Sequence, residues 1–457
     1  MQKRWFCLST ITILLQAGFA VANAATDTPL LAATDIPPIH SDSSQVQVAP
    51  KSQQQKPTPI TLGTQEQSQL KAQVEASISH YESAIAGLES QSGAYGGQLE
   101  QQLMSLGLAQ EYLGKHAKAI KIYKRAMHLN RINEGLYSTG QIPIIDRLIN
   151  SHIALAQWDK VNDKYHYMYW LNAQNYGEND IRMLPTLNQL SRWHLQAYAM
   201  RFGDDRSDVI EHLVKAHSMF EKSIELLSNQ YGQNSQYLID DLNGLTLTNY
   251  FFATFQQLPL EQYKSTSNMI SDLDMRRSNQ MINQFIANSF RGGRESISRV
   301  IDIHTNNENS TPSAVAKAKV KLADWFLMFN KRNSAIELYQ EVYQSLTEQD
   351  STSPDLVEIF DHPVALPRLD LLENNTYSET DEREFDKQRD YVVASFNVTP
   401  QGKTTNVEII ESQPAENNSA RSRVKKSLRL ARFRPRFVAG EPVYSEPVTL
   451  RILAEKK

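Results

Sequence analysis

The chain has 457 residues, 40% of them hydrophobic, and carries 47 Lys and Arg against 51 Asp and Glu for a formal net charge of −4. That length accommodates two or three domains with packed cores, and the mild acidic balance excludes general nucleic-acid binding, which needs a clustered basic excess. The single cysteine, Cys7, excludes a disulfide framework and a cysteine-based metal site.

In chain order, Lys3 and Arg4 precede an apolar run from Trp5 to Ala22, and Ala22, Asn23 and Ala24 form a small-x-small pattern. This predicts a cleavable secretory signal over 1–24. The rival reading is an anchor retained through residues 5–22, a run at the lower limit for spanning a bilayer. Ser9, Thr10, Thr12 and Gln16 dilute the run and favour cleavage. Residues 25–63 contain Pro29, Pro37, Pro38, Pro50, Pro57 and Pro59 amid Thr, Ser, Gln and Ala without an apolar period, which predicts a disordered linker.

From 64 to 349 the pattern is helical and repetitive. Leu70, Val74, Ile78, Tyr81, Ile85 and Leu88 recur every three or four residues, the period of an amphipathic helix. Leu106, Gly107, Ala109, Gly114, Ala119, Ile120, Tyr123, Ala126 and Leu129 follow at offsets in which small residues let two antiparallel helices approach while Tyr123 and Leu106 fill the space beside them. Leu322, Ala323, Ala335, Ile336 and Tyr339 repeat those offsets near the end of the array. This order resembles the tetratricopeptide repeat and implies an all-α helical solenoid, whose groove is the usual place for an extended peptide. The pairs Tyr95-Gly96, Tyr176-Gly177 and Tyr231-Gly232 mark helix ends at which glycine adopts the left-handed conformation, and Gly292-Gly293 marks a further turn between helices.

The consecutive Tyr165, His166, Tyr167, Met168, Tyr169 and Trp170 point all round a helix, so most of them pack between helices rather than forming one patch. Trp193, His194 and Tyr198 read as inter-helix packing. Nothing in the chain points to catalysis. The eleven histidines are dispersed, and neither a His-Glu-x-x-His pair, a phosphate loop nor a Gly-x-Ser-x-Gly elbow is present. The acidic pairs Asp204-Asp205 and Asp240-Asp241 read as solvated. The expectation is a non-enzyme with neither metal nor cofactor.

Residues 350–389, punctuated by Pro354, Pro363 and Pro367 and then highly charged, read as a second linker. The final stretch, 390–457, alternates at Val392, Ala394, Phe396 and Val398, turns at Thr399-Pro400-Gln401-Gly402-Lys403, and resumes at Val407, Ile409 and Ile410. Such a pattern is a hairpin. Val424, Leu428 and Ala431 mark one face of a short helix whose remaining positions are Arg421, Arg423, Lys425, Lys426 and Arg429, with Arg432 and Arg434 following. Phe433-Arg434-Pro435 leads out of the helix, and Val448, Leu450 and Ile452 alternate in a last strand.

These residues, in this order, resemble the TonB C-terminal domain, a small α+β module with an antiparallel sheet and one helix. The resemblance implies a periplasmic energy-transducer-like protein that binds protein partners, either an outer-membrane TonB-dependent transporter or a component of the energy-coupling complex. It implies Val448, Leu450 and Ile452 as the edge that adds or accepts a strand. Arg429, Arg432 and Arg434 belong to a basic face that suits an acidic partner or, by peripheral association, anionic lipid. An envelope scaffold without a role in energised transport is the alternative.

Overall fold

The computed structural model describes residues 64–203, 206–255, 272–350, 352–366 and 391–453. The predicted leader (1–24), the first linker (25–63) and Asp204-Asp205 lie outside the described residues, as does most of the second linker. The described chain is predominantly helical, with a small antiparallel sheet near its C-terminal end. It divides into two compact units, one ending at Asn175 and the other beginning at Tyr176. The division therefore falls inside the predicted helical array rather than at its end.

The first unit holds α1 (Thr64–Ser92), α2 (Leu99–Tyr112), α3 (His116–Asn133), α4 (Gln141–Ala154) and α5 (Trp158–Tyr176). Helices α2 and α3 pack where the repeat pattern predicts. A Cβ added to Gly107 would sit 2.2 Å from the Tyr123 ring, so only glycine lets the ring lie against the α2 backbone. Leu106, Ala119, Tyr123, Ala126 and Leu129 are all buried.

The second unit opens with α6 (Leu184–Met200), α7 (Arg206–Tyr231), α8 (Ile239–Thr254), α9 (Asp272–Asn306), α10 (Pro312–Met328) and α11 (Arg332–Gln349). The glycine-aromatic contact recurs between α8 and α7, where Gly244 faces Phe220, and between α9 and α10, where Gly293 faces Trp325. Gly292-Gly293 is therefore not a turn. Both residues lie within the continuous 35-residue α9, and a Cβ on Gly293 would stand 2.1 Å from the Trp325 indole. The missing side chains serve close packing instead of chain reversal.

The Tyr-Gly pairs also differ among themselves. Gly177 and Gly232 have φ of 82° and 88° and end their helices as expected. Three residues on, Asp180 and Ser235 cap short 3₁₀ turns by accepting from the Arg182 and Tyr237 amides. At the earliest pair the left-handed residue is Gly93, two positions before Tyr95; the Tyr-Gly spelling misplaces the helix stop there.

The expected linker over 350–389 is structured in its first half. Its residues form α12 (Pro354–Phe360) and β1 (Val364–Leu366), and Ile359, Phe360 and Leu366 join the core of α10 and α11. The proline punctuation begins a helix here: Pro354 stands at its first turn, where no amide partner is lost, after Ser353 accepts from the Asp355 amide.

Beyond lie β2 (Tyr391–Val398), β3 (Thr404–Gln413), α13 (Asn418–Leu430), β4 (Arg432–Arg434), β5 (Arg436–Val438), β6 (Glu441–Val443) and β7 (Val448–Leu453). Three antiparallel strands run in the order β3-β2-β7, while β4 pairs with β1 and β5 with β6. The alternation predicted for β2 is realised: Val392, Ala394, Phe396 and Val398 are buried. They pack against Ala420, Val424 and Leu428 of α13.

Candidate interaction site

The terminal module is built from its turn outward. In the β2–β3 loop the Thr399 amide donates to the Lys403 carbonyl at 2.8 Å, and Gly402 adopts a φ of 70°. A side chain on Gly402 would strike the Phe433 carbonyl at 2.3 Å, because the Phe433 amide donates to the Gly402 carbonyl and draws β4 against the loop. The N-terminus of α13 is capped by Asn417, whose Oδ1 accepts from the Ala420 amide at 3.0 Å. Thr404 Oγ1 donates to the Leu428 carbonyl near the other end. The helix is thus fixed across one face of the sheet.

Among the described residues β7 lies at the outside of its sheet, with β2 as its one neighbour there. The side chains expected to meet a partner nevertheless face inward: Ile452 is buried, and Val448 and Leu450 are half-buried against the module's core. Thr449 and Arg451 alternate with them and are exposed, and the Arg451 guanidinium lies 4.0 Å from the Tyr391 ring centroid. What the edge offers is its backbone together with Thr449 and Arg451. Alternation forces this division, since a strand with one buried face turns its other residues outward.

The three arginines expected to share one basic face are separated. Arg429 is exposed. Arg432 is half-buried, with Nη2 donating to Asn330 Oδ1 at 3.3 Å, and burial followed by the nearby Arg332 charge lowers its pKa. Arg434 is 3% exposed and cannot meet a partner. Its guanidinium makes a two-pronged pair with Asp324 on α10, at 2.9 Å from Nε to Oδ1 and 2.6 Å from Nη2 to Oδ2. Its Nη1 donates to the Ile359 carbonyl on α12, and the Tyr339 hydroxyl on α11 donates to the same Asp324 Oδ1 at 2.6 Å.

Burial works against the charged form of Arg434, but the Asp324 carboxylate outweighs it and holds the group above its ordinary pKa. Burial drives the Tyr339 hydroxyl well upward, keeping it a donor. Phe437 packs beside this cluster against Phe360 and Tyr339, at centroid separations of 5.1 and 5.6 Å. Spacing places Arg434 in a basic run; the ladder between β4 and β1 turns it into the helices, and a single sequence carries no signal for that pairing.

Other groups read from the sequence have structural places. His194 and His212 meet at 2.8 Å between their Nδ1 atoms, and Trp193, His194 and Tyr198 are buried. His217 Nδ1 meets Thr248 Oγ1 at 2.9 Å, and burial lowers its pKa to about 4. Asp241 is not solvated as expected. It accepts from the buried Ser223 hydroxyl at 2.6 Å, and burial raises its pKa to about 6. Among the described residues no group of three or more His, Cys, Asp or Glu could hold a metal ion, and no helix is long and apolar enough to cross a membrane.

No protein-family model matches the chain, and no curated protein matches it. Among the solved structures that match is the crystal structure of BtubC (BKLC) from P. vanneervenii. It is 14% identical over 62% of this chain and 94% of that one, with a TM-score of 0.36.

Proposed function

We propose that the protein is a non-enzymatic interaction protein of the cell envelope, in which a tetratricopeptide-like helical array carries a TonB-type terminal module that binds partners at the β7 edge. The observation that carries this reading is the edge itself. An outer strand with exposed Thr449 and Arg451 can accept a further strand through main-chain hydrogen bonds. The leader pattern of residues 1–24 supports export to the periplasm, where the resemblance places a transporter or coupling component within reach. The exposed basic residues of α13 would steer an acidic partner toward the same module.

The Arg434 clamp favours a particular form of this function. A module joined to α10, α11 and α12 through buried charge acts with those helices as one body rather than as a tethered hand, and this also suits the scaffold reading. The test uses the exported full-length chain carrying a photo-crosslinking residue at position 449. Envelope crosslinking is expected to capture an outer-membrane transporter or a coupling component. Capture of assembly factors with normal uptake would support the scaffold, and a chain that stays in the cytosol would overturn both readings.

A further inference from the structure

In the first unit, Lys124 and Arg131 of α3 and Lys160 and Lys164 of α5 surround His152 and Tyr167. Arg131 Cζ lies 5.2 Å and Lys164 Nζ 5.9 Å from the Tyr167 ring centroid. The ring is held from below. Its hydroxyl donates at 2.8 Å to Oε1 of the buried Gln141, and Arg131 Nε donates to the same oxygen, also at 2.8 Å. Gln141 Nε2 in turn donates to the Leu136 and Ser138 carbonyls. From Tyr167 the aromatic surface continues to Trp170 at 5.6 Å and on to Tyr137 at 5.5 Å. Trp170 and Tyr137 are 39% and 53% exposed, so an anchored cationic centre runs into an open aromatic ledge.

The charge here is poorly compensated. Lys160 meets Asp163 at 3.3 Å, but Lys124, Arg131 and Lys164 have no carboxylate within 4.0 Å among the described residues. Burial lowers the pKa of Lys164, and the Arg131 and Lys124 charges add to that effect. His152 is lowered by burial and, against its bond to Gln157, by three of the same lysines. Its Nε2 is buried without a hydrogen-bond partner. A chain with a net acidic balance has thus collected cations around one spot, and an incoming anion would relieve their repulsion.

We propose that this strip binds an acidic, extended polypeptide segment that sets an aromatic or leucine side chain on Trp170 and Tyr137. Lys124 and Arg131 are seven residues apart on one helix, about 10 Å. A peptide in the extended polyproline II conformation rises about 9 Å in three residues and returns its side chains to the same side at every third position, so carboxylates at that spacing match the cations. The overall acidic charge of the chain disfavours a nucleic-acid strand. The site lies wholly within the first unit and is independent of the β7 edge.

The test is fluorescence anisotropy on the full chain with a labelled nonapeptide that has glutamate at every third position and one leucine, beside the same peptide with glutamine. The glutamate peptide is expected to bind at least about tenfold more tightly, and K124Q combined with K164Q should weaken it by about tenfold. The exposed single variant K124E provides the same readout should the double variant lose its folded circular-dichroism signal. Equal binding of the two peptides, unchanged affinity in the folded variants, or tighter binding of an oligothymidylate than of the peptide would each overturn the proposal.

Discussion

The two units contain the same three kinds of group in different settings. In the first, the Tyr123 hydroxyl donates to Glu111 Oε2 at 2.6 Å, and Arg147 approaches the other carboxylate oxygen only to 4.0 Å, its side chain 41% exposed. In the second, Tyr339 donates to Asp324, and Arg434 closes on both oxygens with 3% of its side chain exposed. In both, burial raises the pKa of the tyrosine hydroxyl, so it remains a donor. The difference lies in the guanidinium. At the surface it stays in water and contributes little; inside, losing it would strand a desolvated carboxylate. The arginine is also supplied from different places: Arg147 comes from the following helix, whereas Arg434 comes from a strand more than a hundred residues downstream of its partner, so the inner pair ties the terminal module to the helices.

The sharpest way to break this contrast is Arg434→Ala, expected to destabilise the second unit by about 3–5 kcal/mol by leaving Asp324 buried and unpaired. Thermal denaturation followed by circular dichroism would measure it, and a loss under about 1 kcal/mol would mean that water reaches the pair. The next effect separates this ion pair from the buried neutral groups of the same unit. His217, its pKa held at about 4 by burial despite the exposed Glu221 carboxylate 3.6 Å away, contributes stability that is fully present above the usual histidine value near 6.5 and is lost as pH falls toward 4. The loss should amount to about 2–3 kcal/mol. Asp241, raised to about 6, runs the opposite way, contributing most below the ordinary carboxylate range and losing that contribution as pH rises through 6. Urea midpoints at several pH values should show His217→Gln flattening the acid-side loss; an unaltered profile would contradict the burial argument.

A smaller effect probes packing rather than charge. Gly293→Ala places a methyl group against the Trp325 indole and should cost about 1–3 kcal/mol despite alanine's better helix propensity. Gly107→Ala against Tyr123 should cost a similar amount, because both rings are almost fully buried. A stabilised variant would show that the α9–α10 contact can relax. The smallest effect closes the comparison: Arg147→Ala should change stability by under about 0.5 kcal/mol, about tenfold less than the loss at Arg434.

The helical array and the terminal hairpin were legible because each rests on a local period. Ala119, Tyr123 and Ala126, or Val392, Ala394 and Phe396, declare a buried face within one turn or one strand. The acidic pair Asp240-Asp241 misleads because two neighbouring residues on a helix point to different sides, and only one of them turned inward to Ser223. Gly292-Gly293 misleads because glycine serves equally to reverse a chain and to admit a ring, and the choice depends on Trp325, a residue of another helix. The candidate edge was legible as a strand, but its half-buried core pattern leaves the backbone, not Val448, Leu450 or Ile452, at the surface.

Periodicity and turn chemistry determined that this chain has long amphipathic helices and a small sheet with one helix near its end, because those properties depend on residues a few positions apart. Which arginine of the basic run is solvent-facing was decided only by tertiary structure. The pairing of β4 with β1 carries Arg434 beneath α10 and leaves Arg429 outside, and in a run of similar side chains the dielectric around each charge is set by distant segments of the chain.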